Sequence, residues 1–408
     1  MANTLTPRDV YQLMNEVVAQ ATGRNDLTVI DTTTFTTVGE TMLRTGTENL
    51  MNAISTVVGK TIFAVRPYQR KLSSLEVDSQ RWGAQVRKVR YLTKDLEASQ
   101  DYNTDLNPNQ LANGNSIDMY KINGPEAMQL NFYGTALCQK HITRFRDQLS
   151  MAFRNEGEFL QFLNGVMIAF NNEVELVNEA KSRATLLNFM AGVSAMGLKQ
   201  VDLVAEYNTT YSTTYSRGQL LSTYLESFMK FVASQVKIYA SALTDMSALN
   251  HASIDGYKPI LGHTPKNRQK MFMYEPIFIT AQSTVYPTLF NTDYLNIGKF
   301  EGVNYWQSQK NPTQINVKPN ILDVATGHSK DAETAVNLPY VLGLLYDEEA
   351  LGIMPQFDYA STTPFNSAGG YYNMYMHWRF NSYNDYTENA VLFTLGDGGA
   401  PASRTVRK

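Results

Sequence analysis

"YYNMYMHWRFNSYNDYTENAVLF", Tyr371 to Phe393, is crowded with aromatic rings and carries few charges. Taken in steps of two, Tyr372, Met374, Met376, Trp378 and Phe380 share one parity, and Tyr371, Asn373, Tyr375, His377 and Arg379 share the other. Successive side chains of a strand point to opposite faces, so the pattern predicts a strand with one dry face and one amphipathic face. Asn381 to Asp385 breaks the pattern with turn-forming residues, and Ala390 to Leu395 resumes as a short apolar strand. The expectation is a terminal β-hairpin that seals a core. Tyr371, Tyr375 and Arg379 lie on the face that this sealing does not use, and Tyr and Arg are favoured where one protein meets another.

Working outward, the whole chain shares this character. Its 408 residues are 43% hydrophobic and only 18% charged, against roughly 25% charged in an average protein. Lys+Arg 35 against Asp+Glu 38 gives a net charge of -3, which argues against a dedicated nucleic-acid binder. Few charges and many aromatic rings suit a chain that buries much surface against partners. The one cysteine, Cys138, excludes an intrachain disulfide, fits a cytosolic origin, and reads as a small buried hydrophobe. No apolar run approaches the length of a membrane span, so no membrane partner is expected.

The N-terminal stretch "TPRDVYQLMNEVVAQATG" predicts a helix capped by Thr6, with Pro7 at its first position and Gly23 at its end. The Thr-rich Asp31 to Gly39 reads as extended, and a second helix is expected over Thr47 to Val58. Residues 62–145 are long, polar and charged, with strand-like alternation at Ile62–Val65 and Val86–Leu92 and turn dipeptides at Asn107-Pro108 and Asn113-Gly114. Structureless connections of that length are uncommon in compact domains, so a projecting β-hairpin is expected. Arg66, Arg70, Lys71, Arg81, Arg87, Lys88, Arg90 and Lys94 make it basic, with only Glu76 and Asp78 between them, before the sign reverses at Asp95, Glu97, Asp101 and Asp105. Ordinary solvated charge is one reading. Docking on a neighbouring copy by complementary charge is the other. Trp82 and Tyr91 could stack on bases, but two rings are a weak signal.

From Glu156, Leu160, Leu163, Met167, Phe170, Val174 and Val177 repeat at helical steps. A helix to about Met190 would be a rod of roughly 50 Å, read as a spine packed against a sheet. Helix and strand signals then alternate to Ile315. "GQLLSTYLESFMKFVASQ" predicts helix, "QKMFMYEPIF" strand followed by helix through Thr284 to Phe290, and Tyr340 to Tyr346 a buried strand before the acidic turn Asp347–Glu349.

Catalytic signatures are absent. The five histidines lack ligand spacing and none adjoins Cys138, no phosphate-binding loop is present, and "GVSAMG", Gly192 to Gly197, has the wrong spacing for a nucleophile elbow and reads as a loop. Asp347, Glu348 and Glu349 read as a solvated turn, and His377 as a structural histidine. The sequence therefore points to no catalytic residue, no metal site, no cofactor and no enzyme.

The order of parts, namely N-terminal arm, charged hairpin, long helix, α/β insertion, return strand and closing hairpin, resembles the major capsid proteins of tailed bacteriophages. "LLYDEEALGI", "YYNMYMHWRF" and "ENAVLF" are the stretches most similar to capsid proteins of short-tailed phages and their gut-phage relatives. The resemblance implies the α+β Hong Kong 97-type fold. Its parts would be an N-arm (1–61), an E-loop hairpin with flanking strands (62–145), a P-domain spine helix (146–200), an A-domain (201–315), and return strands of the A- and P-domains with a C-terminal hairpin (316–408). It implies hexamers and pentamers of this chain in an icosahedral shell around double-stranded DNA, touched only weakly and non-specifically. Portal and scaffolding proteins would be further partners, with assembly in the host cytoplasm and residence in the virion. The inter-subunit surface would use Arg66, Arg70, Lys71, Arg81, Trp82, Arg87, Lys88, Arg90, Lys94, Asp95 and Glu97 on the E-loop and Tyr371, Tyr375 and Arg379 near the C-terminus. An encapsulin-like nanocompartment or a phage tail or connector protein is the alternative.

Overall fold

A computed structural model describes Gln12, Asn15, Val18, Ala19, Val29, Thr34 and Val38, and residues 70–77, 86–92, 115–116, 118–120, 122, 124, 126–133, 135–145, 156–257, 259–285 and 300–398. Gln12, Asn15, Val18 and Ala19 are helical, as the first helix requires. Thr34 and Val38 are helical too, which corrects the extended reading of that segment. β-Branched residues lower helix propensity only slightly, and context overrides it. The second expected helix, Arg66, Arg81, Trp82, Lys94, Asp95, Glu97 and the basic tail lie outside the described residues.

Strands β1 (Val86–Leu92) and β2 (Glu126–Phe132) pair antiparallel from Val86↔Phe132 to Leu92↔Glu126; β1 is the expected strand, β2 is not among those expected, and Ile62–Val65 lies outside the described residues. Two residues later the chain enters β3 (Thr135–Phe145). Helix α1 then runs from Glu156 to Ala195, 40 residues and about 60 Å at 1.5 Å per residue. It exceeds the expected end at Met190 because "GVSAMG" is its C-terminal turn and cap. Gly197 takes φ +64°, its N–H bonds Ser194 O at 3.1 Å, and Leu198 N–H bonds Val193 O at 2.9 Å. That paired pattern closes the last carbonyls and uses the left-handed conformation that glycine adopts without penalty.

Past α1 come β4 (Gln200–Asp202), α2 (Leu203–Tyr211), α3 (Arg217–Leu220) and α4 (Leu225–Ala242). Asp202 caps α2 by accepting from Val204 N at 3.0 Å, and a reciprocal Ser216/Gln219 box starts α3. Strand β5 (Gln269–Tyr274) leads directly into α5 (Glu275–Val285). This helix begins nine residues before the expected Thr284, with Pro276 in its first turn, where the missing N–H costs nothing. Short strands β6 (Glu301–Val303), β7 (Ile315–Val317), β8 (Asn320–Leu322), β9 (Ser329–Asp331) and β10 (Val336–Leu338) precede the long return strands. Those are β11 (Val341–Asp347), β12 (Leu351–Thr362), β13 (Tyr371–Asn384) and β14 (Ala390–Thr394).

Two sheets organise the body. One is antiparallel, in the order β12-β13-β3; the other is mixed, in the order β4-β14-β11-β5-β6, with β14/β4 and β5/β6 parallel. The aromatic stretch Tyr371 to Phe393 is therefore not a hairpin. β13 is the centre of the first sheet, and β14 lies in the second. The strand also extends to Asn384, past the expected break at Asn381. The redirection comes from the corner Asp385–Asn389. Asp385 Oδ1 accepts from the Thr387 amide (2.9 Å) and hydroxyl (2.6 Å), and the Tyr386 ring stacks on Phe189 of α1 with centroids 5.2 Å apart. The predicted alternation in β13 is present except at Trp378: Tyr372, Met374, Met376 and Phe380 are buried, whereas Trp378 is half-buried like Tyr371, Asn373, Tyr375, His377 and Arg379.

β11 and β14 are buried at every position, as strands covered on both faces must be. One face of their sheet packs Val391, Phe393 and Leu345 against Phe228, Met229 and Val232 of α4. The other packs Leu344, Tyr346 and Leu392 against Leu186, Phe189 and Met190 of α1, together with Trp306, whose Nε1–H donates to Val341 O at 2.8 Å.

Candidate functional site

The hairpin divides its basic residues by parity. Arg87, Val89 and Tyr91 point to solvent, with Val89 43% and Tyr91 72% exposed. Lys88 and Arg90 point to the body. Lys88 Nζ lies 2.9 Å from Asp385 Oδ2 and 3.5 Å from Glu349 Oε2, and also pairs with Glu388, which takes Arg90 as well. Asp385 is 1% exposed. Burial pulls the Lys88 ammonium down, but Asp385 and Glu388 outweigh it and hold it above its ordinary value.

The same cluster takes in the acidic turn between β11 and β12. Arg268 Nε donates to Glu348 at 2.8 Å and its NH2 bonds Glu349. Burial pushes the Glu349 carboxyl up, but the Arg268 hydrogen bond and the Lys88 charge outweigh it and leave the carboxyl below its usual range. Asp347 is buried, and its Oδ2 accepts from the Thr264 hydroxyl at 2.8 Å. The turn read as solvated is thus paired or buried at each of its three acids. Beside it, burial pushes Tyr383 up to about 12.

Arg70 and Lys71 are committed inside the chain. Arg70 is buried, paired with Glu76 and 3.8 Å from Glu175 of α1; Lys71 is 3.5 Å from Glu275 of α5. Leu72 and Leu75 between them enter the core, so this segment is tied to the body. Arg70, Lys71, Lys88 and Arg90, expected on an inter-subunit surface, each meet a carboxylate of their own chain. A period of two sends half of a strand's charges inward, and the acids that meet them are remote in sequence.

The half-buried face of β13 carries a row of rings across all three strands. Tyr359 of β12 stacks on His377 (4.7 Å, 16°), His377 neighbours Tyr375 (6.4 Å), and Tyr375 meets His141 of β3 (5.3 Å). Arg379 lies on this face opposite Leu137, which is 70% exposed. Tyr371 is spent locally, its hydroxyl accepting from Asn366 at 3.0 Å. The other face meets α1, with Lys181 5.7 Å from the Phe380 ring centroid and Lys140 paired with Glu173. Cys138 is half-buried opposite Trp378, rather than fully buried. Sequence reading placed Tyr371, Tyr375 and Arg379 on one face of the strand but did not reach Tyr359 or His141, nor Asp385 and Glu388 beside Lys88. The cluster of acids in "NDYTEN" was the available signal for the last.

No family model matches the chain, and no curated protein matches it in sequence. Solved structures do. A chain in the structure of head fiber and inner core protein gp22 of native bacteriophage P68 is similar at TM-score 0.50 and 10% identity, covering 78% of this chain and 83% of that one. The capsid structure of Staphylococcus phage Andhra gives 0.45 and 10%, covering 79% and 83%. The asymmetric unit of the bacteriophage PhiM1 mature capsid gives 0.41 and 8%, covering 81% and 88%. At this identity the likeness to the P68 chain is one of fold. By fold, the chain is of the α+β Hong Kong 97-type.

Proposed function

We propose that the chain is the major capsid protein of a tailed bacteriophage, self-assembling into hexamers and pentamers of an icosahedral shell around double-stranded DNA. The observation that carries this reading is the fold shared with the P68 chain over 78% of this one. The surface supports it. The described hairpin offers solvent a face of Arg87, Val89 and Tyr91, and the β12-β13-β3 sheet offers a row of rings with Arg379. Rings and arginines of this kind are what interfaces concentrate.

On this reading residues 1–61 are the N-arm, the E-loop is the hairpin within 62–145, and α1 with the three-stranded sheet forms the P-domain. The five-stranded sheet with α2 to α5 belongs to the A-domain side. Arg87 on the hairpin and Tyr375 and Arg379 on the sheet contact neighbours, and Arg66, Arg81, Trp82, Lys94, Asp95 and Glu97 extend the hairpin surface. The protein acts by assembly rather than catalysis, with portal, scaffolding protein and packaged DNA as partners, and resides in the virion after assembly in the host cytoplasm. Purified full-length chain, viewed by negative-stain electron microscopy and sized by light scattering, should form closed shells. Tubes or rings would instead favour a tail or connector role, and a persistent monomer under all assembly conditions would refute the reading.

A further inference from the structure

The hairpin is attached to the body by little apolar surface. β1 and β2 pair with each other and with no third strand among the described residues. Met128 is the buried apolar side chain of the hairpin, packed with Ile254 and Ile260 and flanked by Leu92 and Leu130. Phe132 meets the Tyr383 ring at 5.6 Å. Toward the spine helix, β2 borders an open cleft of about 830 Å³. Against this thin contact stands a dense charge cluster. Asp347, Glu348, Glu349, Asp385 and Glu388 come from two turns; among the described residues Arg268 is the body cation paired with this group, through Glu348 and Glu349, and Asp347 accepts from Thr264. The remaining positive charge comes from the hairpin, through Lys88 and Arg90.

We propose that these carboxylates form a latch in cis: by gripping Lys88 and Arg90, Glu349, Asp385 and Glu388 fix the direction of the hairpin on its own chain before any second copy is met. Glu349, Asp385 and Glu388, gathered together, repel one another, and the body relieves this by holding the hairpin's inner face. Lys88 is the keystone, since Asp385 is buried and its Oδ1 is already taken by Thr387. The opposite face, with Arg87 and Tyr91, remains open, so the latch also selects which face a neighbour can reach. That last consequence rests on the proposed function; the latch does not.

Hydrogen exchange of the full-length, unassembled chain at fixed pH 7 reads the latch directly. The E349Q/E388Q double variant should speed amide exchange in β1 and β2 by about tenfold or more, and leave the β3/β13 amides unchanged. Unchanged hairpin exchange in the folded variant overturns the latch. If the variant does not fold, the wild-type chain decides. Raising NaCl from 50 mM to 1 M screens ion pairs and does not weaken apolar contacts, so a latched hairpin exchanges faster. Exchange that slows or holds constant in salt means an apolar attachment and overturns the proposal. Neither measurement needs a shell. Its failure therefore removes the latch alone, and failure of the wild-type chain to close shells removes the functional reading alone.

Discussion

The hairpin and the five-stranded sheet are both β structure held by opposite means. In the sheet, β11 and β14 have no exposed position and pack apolar side chains on two faces. In the hairpin, every second residue faces solvent, and the inner face is fastened by ions. Burial is non-directional and grows with area, so the sheet is stable in one place and insensitive to charge. Ion pairs depend on partners, salt and protonation, so the hairpin's attachment can be altered without unfolding the body.

The contrast can be broken first at the core. Phe393→Ala empties a fully buried site between β14 and α4 and should cost about 3–5 kcal/mol in denaturant unfolding. A loss under about 1 kcal/mol would mean the sheet is not held by packing. Lys88→Met comes next. It strands the buried Asp385 carboxylate, and removing one partner of a buried pair costs about 3 kcal/mol. Arg87→Glu, one residue away on the open face, should leave unfolding within about 0.5 kcal/mol of wild type while impairing shell formation in light scattering. If Arg87→Glu proves as destabilising as Lys88→Met, the division of faces is wrong.

Gly197→Ala sits between these in effect. It forces a Cβ into the left-handed conformation that ends α1 and should cost about 1 kcal/mol. Alkaline titration sharpens the core side of the comparison. Burial pushes Tyr340 and Tyr383 each up to about 12. A raised phenol pKa favours the neutral form in the folded state, so its stability contribution is intact below the unfolded value near 10 and declines above it. Absorbance near 295 nm should show these two rings still un-ionised at pH 11 in folded protein. The carboxylate side has the reverse sign. Glu349 is depressed, so its share of the latch is present above its ordinary value of 4.5 and is lost as pH falls through its lower folded value. The smallest effect on stability should be this acid release, visible as faster hairpin exchange before the body unfolds.

What the sequence made legible was local. The parity of Tyr372 to Phe380 gave the buried face of β13, and the repeat from Leu160 to Val177 gave the spine. Pairing partners were not legible. β13 and β14 are close in sequence, so a hairpin was the economical reading, yet the corner at Asp385–Asn389 sends them to different sheets. Nothing local announces that Tyr386 will lie on a helix nearly two hundred residues earlier. The same holds for the site. The basic run was plain, but which cations meet which acids depends on a turn some three hundred residues away. "GVSAMG" was misread because a glycine that caps a helix and a glycine that starts a loop look alike until the helix end is placed.

Gly192 of α1 faces the ring of Tyr386, and any Cβ there would collide with it. The missing side chain lets the phenol settle on the helix, where its hydroxyl donates to Asn320 O at 2.9 Å. The corner joining β13 to β14 is thereby pinned to the spine at one point. A methyl group at position 192 would displace that ring and loosen the corner from the helix.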